Sequence, residues 1–329
     1  MAAKLSKLVI TLFALFALAA AIGGTHAQTA RYPERPITMI VTFTAGGSSD
    51  VLARAVAGAM SQGLGKPIVV ENRPGAGGNV GAEAASKANP DGHTILFGTN
   101  GTLGIGPALH KNLRYDPQKD LVPVGLLHQL PLVLIVNPQV PAKTLGELIA
   151  YARSNPGKLT FASAGVGTAS HLTAELFKIA TGVDIRHIPY KGGGSTTADL
   201  ISGEVSMMFE TIPTALPLVR GGQMRALGLT TKEGSANAPD LPTFAQSGLP
   251  DFDVSAWTGI FVPAGTPKAV IERLSAETMR IVNDQAYVAQ IKNMGTDVAT
   301  LSPEEFGAFV RKDVAKWTEV IQRSGTRAE

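Results

Sequence analysis

Short β-branched runs alternate with amphipathic helical stretches along most of this chain, and the alternation breaks twice. Ile37 to Phe43 reads as a strand, followed by a Gly/Ser loop and a helix from about Ser49 to Leu64. Val69 to Glu71 is a second strand, Asn79 to Ala88 a helix, and Thr94 to Gly98 a third strand. This rhythm predicts an α/β fold of parallel-rich sheets flanked by helices. The first break is Leu126 to Val136, an apolar run that reads as one long strand or two joined. The rhythm then restarts: Thr144 and Glu147 cap a helix to about Ser154, Leu159 to Ser163 is a strand, and Thr168 to Thr181 a helix. Ile185 to Tyr190, Val205 to Glu210 and Arg225 to Thr230 complete the central strands. The second break is the extended stretch Asp253 to Val262. Beyond it the chain is mostly helical, with Ser302, Pro303 and Glu305 starting a final helix that ends near Gly325.

Two breaks in one rhythm imply a chain that leaves one lobe and returns to it. The expected division is lobe 1 from residues 28–128 plus 257–329 and lobe 2 from 129–256, with two crossings forming a hinge. Clefts between such lobes are where small ligands bind. The alternative of two sequential domains would need strands in the C-terminal third, and that part reads as helix.

The leader sets the compartment. Lys4 and Lys7 precede the uncharged apolar run Leu8 to Ile22, and Thr25 and Ala27 supply the small residues of a cleavage site. A signal peptide over 1–27, cut after about Ala27, is expected. The chain contains no cysteine, so neither a lipid anchor nor a disulfide is available. A soluble protein held in a Gram-negative periplasm follows. The 29 Lys and Arg less the two in the leader leave 27, against 26 Asp and Glu, and no basic run occurs. Nucleic-acid partners are not indicated.

Two loops are built alike. One is Thr44-Ala45-Gly46-Gly47-Ser48-Ser49-Asp50 after the first strand; the other is Ser163-Ala164-Gly165-Val166-Gly167-Thr168-Ala169-Ser170-His171 after a strand of the central block. Each opens a helix, whose first N–H groups have no internal partner and carry a partial positive charge. Glycines admit a close approach to that backbone, and the hydroxyls add donors. A carboxylate can be held between two such ends without an arginine. The competing reading is two ordinary N-capped turns. Asn100 at a strand end, Tyr190 at the end of another and Glu210 at a third are further candidates for the cleft. A helix N-terminus favours the neutral form of His171, which then acts as a hydrogen-bond donor. Trp257 reads as packing at the second crossing.

Other chemistries fit less well. Gly75-x-Gly77 and Gly192-x-Gly194 lack the third glycine of a dinucleotide fingerprint, since Val80 and Thr197 stand there. The six histidines show no metal-ligand spacing, so no metal and no cofactor is expected. Ser163 lacks the first glycine of a nucleophile elbow, Phe161 standing in its place. A serine hydrolase using Ser163 with His171 or His187 is the enzyme-class alternative.

The stretches RYPERPITMIVTFTAGGSSDVLARAVA, KPIVVENRPGAGGNVGAEAASKANPDGHTILFGTNGT, FASAGVGTASHLTAELF, IPYKGGGSTTADLISGEV and AWTGIFVPAGTP resemble the Bug, or TctC-like, receptors of tripartite tricarboxylate transporters. The resemblance covers essentially the whole mature chain. It implies a two-lobe type II periplasmic-binding-protein fold, no catalysis, no cofactor, and a ligand carboxylate held at the loops after the first strand of each lobe. By that resemblance Thr44, Ala45, Gly46, Gly47, Ser48 and Asp50 carry over on one side, and Ser163, Ala164, Gly165, Thr168, Ser170 and His171 on the other. Relatives often have Pro or Tyr before the Gly-Gly pair where this chain has Phe43-Thr44-Ala45, and an aspartate where it has Glu210. The implied partners are a small carboxylate (organic, amino or aromatic acid) and the transporter's membrane subunits; a monomer is the default expectation for a shuttle. A periplasmic sensor for a signalling kinase would share the same capture step.

Overall fold

The computed structural model describes residues 32–110, 112–190 and 194–327; the expected signal peptide lies outside them. The elements are β1 (Ile37–Val41), α1 (Ser48–Leu64), β2 (Ile68–Asn72), α2 (Asn79–Ser86), β3 (Thr94–Thr99), α3 (Gly106–Leu109), β4 (Leu121–Val136), α4 (Leu145–Ser154), β5 (Thr160–Ser163), α5 (Ala169–Thr181), β6 (Arg186–Pro189), α6 (Gly194–Ser202), β7 (Met207–Thr211), α7 (Ile212–Arg220), β8 (Arg225–Leu229), β9 (Ser255–Pro263), α8 (Lys268–Val282), α9 (Gln285–Asn293), β10 (Asp297–Val298) and α10 (Pro303–Ser324). Most follow the sequence reading within a few residues. α3, α6, α7, α9 and β10 were not anticipated: α6 follows a glycine run, α7 carries Pro213 and Pro217, residues that read as loop, and β10 is a two-residue strand on β4 in a stretch that read as helix.

The apolar run at the first break lies within a single strand of 16 residues. Its length comes from a change of partners. Residues Leu121 to Pro131 pair with β9, and Leu132 to Val136 pair with β7 and β8. β4 thus belongs to both lobes. The first lobe runs β2-β1-β3-β9-β4 and the second β4-β7-β5-β6. The outer pairs are parallel (β1 with β2 and β3, β5 with β6 and β7), while every pair made by β4 or β9 is antiparallel. Because β4 is buried along nearly its whole length, its residues read as a continuous apolar run rather than an alternation.

Thr230 ties the two crossings together. Its hydroxyl donates to the Val254 carbonyl at 2.6 Å and accepts from the Leu132 amide at 3.1 Å, with no exposed surface. Four residues before Leu132 on β4, the buried His128 bonds Thr258 through Nδ1 and the Tyr287 hydroxyl through Nε2, each at 2.7 Å. Burial holds this imidazole neutral, its pKa lowered to about 3.

The final helix joins the lobes a third time, through packing. Its capping box is present as expected, Ser302 with Glu305. Phe306 and Val310 pack with Trp257 and Phe261 in the first lobe. Trp317, Val320 and Ile321 enter the core of the second, with Leu172 and Phe177. Trp257 is buried and donates from Nε1 to Asp313 on this helix at 2.8 Å. At α4 the capping differs from the expectation. Thr144 accepts from the Glu147 amide, but the Glu147 carboxylate reaches back to the Lys143 amide.

Candidate functional site

Strand register brings the candidate loops to one place. β3 ends at Thr99, opposite Thr258 of β9. β7 ends at Thr211, opposite Leu132. Pro131, the neighbour of Leu132, pairs with Ser255 at the start of β9. The C-terminal ends of β3 and β7 therefore approach the crossing from opposite sides. β1 lies parallel beside β3, and β5 parallel beside β7. Their following loops, Thr44–Gly47 and Ala164–Thr168, thus open toward the gap between the sheets, the crevice outside the carboxyl ends of strands where α/β folds bind ligands. One contact spans the lobes directly at this level: a Cβ on Gly167 would overlap Leu109.

In the first loop Thr44, Ala45, Gly46 and Ser48 are exposed. Gly46 has φ +81°, a conformation natural to glycine. α1 is capped by Gly47, with no side-chain hydrogen bond, so its first N–H groups are open to a ligand. Asp50 does not share that exposure. Its buried carboxylate accepts from the Gly46 amide at 2.9 Å, from Arg54 Nε at 3.0 Å and from Asn72 Nδ2 at 2.9 Å. The Arg54 hydrogen bond, helped by those from Gly46 and Asn72, lowers its pKa to about 2. Asn72 Nδ2 also donates to the Phe43 carbonyl at 3.0 Å. Asp50 thus shapes the loop from behind. Arg54 and Asn72 lie outside the loop motif, and the sequence reading missed them. The one signal was an i,i+4 Asp–Arg pair at the helix start.

The second loop is held by neutral groups. Thr168 caps α5, accepting from the His171 amide at 3.4 Å, and its hydroxyl donates to the Gly165 carbonyl at 2.7 Å. The Ser170 hydroxyl accepts from the Ala164 amide at 3.1 Å and lies 3.0 Å from that of Thr168. His171 Nδ1 accepts from the Gly167 amide at 3.1 Å. That bond puts any proton of the neutral ring on Nε2, so His171 is a loop anchor on its Nδ1 side. Ser163 is fully buried, 2.6 Å from His187 Nε2. The His171 and His187 rings stack with centroids 4.0 Å apart, and His187 stacks on Phe161 at 4.8 Å. Burial lowers His171 to about 3 and His187 to about 4, so both are neutral at pH 7.

The remaining candidates sit at neighbouring strand ends. The Tyr190 amide donates to the Ser163 carbonyl at 3.0 Å, and its hydroxyl donates to Asp199 at 2.6 Å. Burial and that bond push the phenol up to about 12. Asn100 is buried at the end of β3, and its Nδ2 has no partner among the described residues, an orphaned donor of the kind a ligand or water satisfies. Glu210 is half-buried and accepts from the Thr211 amide at 2.7 Å; burial raises its pKa. Register places Glu210 opposite Val133, next to the crossing. A cavity of about 1160 Å³ lies elsewhere, between α2, the 108–115 segment and the end of α10, and contains none of these residues. Among the described residues no cluster of three His, Asp or Glu could hold a metal ion, and no helix is long and apolar enough to cross a membrane.

Comparison with known proteins gives this geometry a context. A family model described as the tripartite tricarboxylate transporter family receptor, TctC, matches residues 52–326. Protein BugT of Bordetella pertussis is 36% identical over 297 residues, covering 90% of this chain and 91% of BugT. The solved structure of R. palustris Rpa4515 with adipate aligns with a TM-score of 0.81 at 32% identity, over 90% of this chain and 99% of that one. MatC (Rpa3494) from Rhodopseudomonas palustris with bound malate aligns with a TM-score of 0.77 at 35% identity, over 88% and 100%. With its two lobes, type II periplasmic-binding-protein fold and match over most of its length, the chain belongs to the Bug, or TctC, family of tripartite tricarboxylate transporter receptors.

Proposed function

We propose that this protein captures a small carboxylate between its lobes in the periplasm and delivers it to the membrane subunits of a tripartite tricarboxylate-type transporter. The observation that carries the reading is the opposition of two loops, each at a helix N-terminus, across the β4–β9 crossing. The adipate and malate in the two related structures support a carboxylate as the ligand class. In this reading the open backbone of Thr44, Ala45, Gly46, Gly47 and Ser48 takes one side of the acid. Ala164, Gly165 and the Thr168–Ser170 hydroxyls take the other, while Asn100, Tyr190 and Glu210 face the rest of the ligand. The lobes are residues 28–128 with 257–329, and 129–256. Support for those limits comes from β4, which changes partners between Pro131 and Leu132. Closure bends the crossings around Thr230. Micromolar capture needs about 8 kcal/mol, within reach of two charge-assisted backbone sites.

The test is a thermal-shift panel of mono-, di- and tricarboxylates, amino acids and aromatic acids on purified mature protein, which stabilise by linkage if they bind the folded form. Absence of a shift with every member would sink the carboxylate reading.

One observation favours a second reading: the Ser163–His187 contact at 2.6 Å has the reach of a nucleophile and base. Three facts weigh against a hydrolase. Ser163 is fully buried. A His187 pKa lowered to about 4 makes a weak base at neutral pH. No carboxylate bonds His187 among the described residues. On this reading the protein is a shuttle and not an enzyme, and it is proposed to work as a monomer. Hydrolysis of p-nitrophenyl esters, lost in Ser163→Ala, would reverse that assignment.

A further inference from the structure

The first loop carries a control that neither its motif nor its exposed surface reveals. Phe43 through Gly46 present eight backbone amides and carbonyls. Two of them are held from the far side. The Gly46 amide donates to Asp50 at 2.9 Å, and the Phe43 carbonyl accepts from Asn72 Nδ2 at 3.0 Å. Asp50 and Asn72 are themselves joined at 2.9 Å. Arg54 then contacts both, with Nε on Asp50 at 3.0 Å and Nη2 on Asn72 Oδ1 at 3.3 Å. The ring so formed links the first turn of α1 to the end of β2.

We infer that Arg54 and Asn72 are positioning residues for ligand capture, acting through Asp50 to fix the first loop without touching the ligand. The inference rests on the reading of that loop as a carboxylate site. Its physical content is preorganisation. A loop whose glycines are already in their bound conformation loses less entropy on binding. Gly46 is the point at issue, because a glycine explores the widest backbone space when unrestrained. Asp50 is well suited to restrain it. Burial keeps water from competing for the carboxylate, and Arg54 balances its charge. From β2 the flanking Glu71 and Arg73 pair with each other at 2.7 Å, leaving Arg54 as the cation on Asp50.

The Arg54 side chain is 54% exposed, so it can be replaced without opening the core. The experiment compares wild type, Arg54→Met and Asn72→Ala by amide hydrogen exchange in the unliganded protein and by titration with adipate and with malate. In both variants exchange at Gly46 should accelerate about tenfold, as local opening becomes easier, while the amides of α5 hold their rates. The affinity for whichever acid binds wild type should fall by a similar factor, with the thermal midpoint nearly unchanged in Arg54→Met and modestly lowered in Asn72→Ala. The carbon titration of the Asp50 carboxyl should move up from its wild-type midpoint in Arg54→Met. Because both residues act through Asp50, the double variant should lose less than the sum of the single losses. Unchanged Gly46 exchange in both variants overturns the inference. So does faster exchange with undiminished affinity. If neither acid binds wild type, the two-acid form of the carboxylate reading fails, and the exchange result alone still decides whether the ring holds the loop.

Discussion

The two loops that open toward the cleft share a plan and differ in chemistry. The first is braced by charge: a buried carboxylate, a guanidinium and an amide from two different elements. Its helix end is left uncapped by any side chain. The second is braced by neutral hydroxyls and imidazoles, most of them within the loop itself, and Thr168 caps its helix. The difference teaches that a helix end can be shaped for an anion in two ways. A buried anion behind the loop needs a cation to balance it, whereas a neutral network needs histidines held unprotonated.

That contrast predicts separate responses to acid, and here the largest effect is expected. His171 and His187 have folded pKa values lowered from 6.5 to about 3 and about 4. A depressed histidine contributes stability that is present above its unfolded value and lost as pH falls below it. The second loop should therefore weaken as pH falls from 6.5 toward about 4, with the more deeply buried His171 contributing more than His187. His128 adds to the same loss from the crossing. Asp50, lowered from 3.8 to about 2, contributes stability that is lost only as pH falls from 3.8 toward 2. Urea midpoints measured across pH should show a wild-type decline starting near 6.5, made shallower by His171→Gln. Asp50→Asn should change the profile only below about pH 4 beyond a constant offset. A decline that begins near pH 4 in wild type would break the contrast.

Removing each brace should come next in size. Asp50→Ala removes the acceptor of the Gly46 amide, of Arg54 Nε and of one of the two Asn72 Nδ2 bonds, and the loss of these charge-assisted bonds is expected to cost about 2 kcal/mol in urea unfolding. Ser163→Ala combined with Thr168→Ala removes neutral partners and a cap, for about 1–2 kcal/mol, with weaker binding of any acid found in the carboxylate panel. Equal costs would mean that the charged brace gains nothing from burial. The smallest effect sharpens the comparison from the other direction. Gly47→Asp should supply the side-chain cap that α1 lacks. Gly47 has φ −77° and space for a Cβ, so thermal stability should change by only a few tenths of a kcal/mol. Carboxylate affinity should nevertheless fall, since the new side chain occupies the N–H groups the ligand would use. Undiminished affinity would place the acid away from this helix end.

The sequence made one loop more legible than the other. In the second, Ser163, Thr168, Ser170 and His171 bond within a stretch of nine residues, so the motif holds most of its own network. His187 stood 24 residues away, and its pairing with Ser163 needed the β5–β6 register. In the first, Asp50 was assigned to the ligand side because it stands in the motif. Its partner Asn72 lies 22 residues on, across β2, and only the β1–β2 pairing brings it near. The lobe break at β4 was visible as an apolar run, yet its meaning, one strand serving two sheets, was not. Burial makes such a strand apolar throughout, whichever sheets it joins.

By itself the sequence determined what is local: the order of strands and helices, the capping box at Ser302, and the glycine and hydroxyl content of the two loops. Those follow from side-chain periodicity and backbone preference over a few residues. Tertiary structure decided what depends on distant partners. It turned β4 from one sheet to the other, carried α10 across both cores, and drew Arg54 and Asn72 behind Asp50. The physical reason is that a buried carboxylate or imidazole is tolerable only beside its partner. Such partners are chosen by register and packing, which no short stretch of sequence specifies.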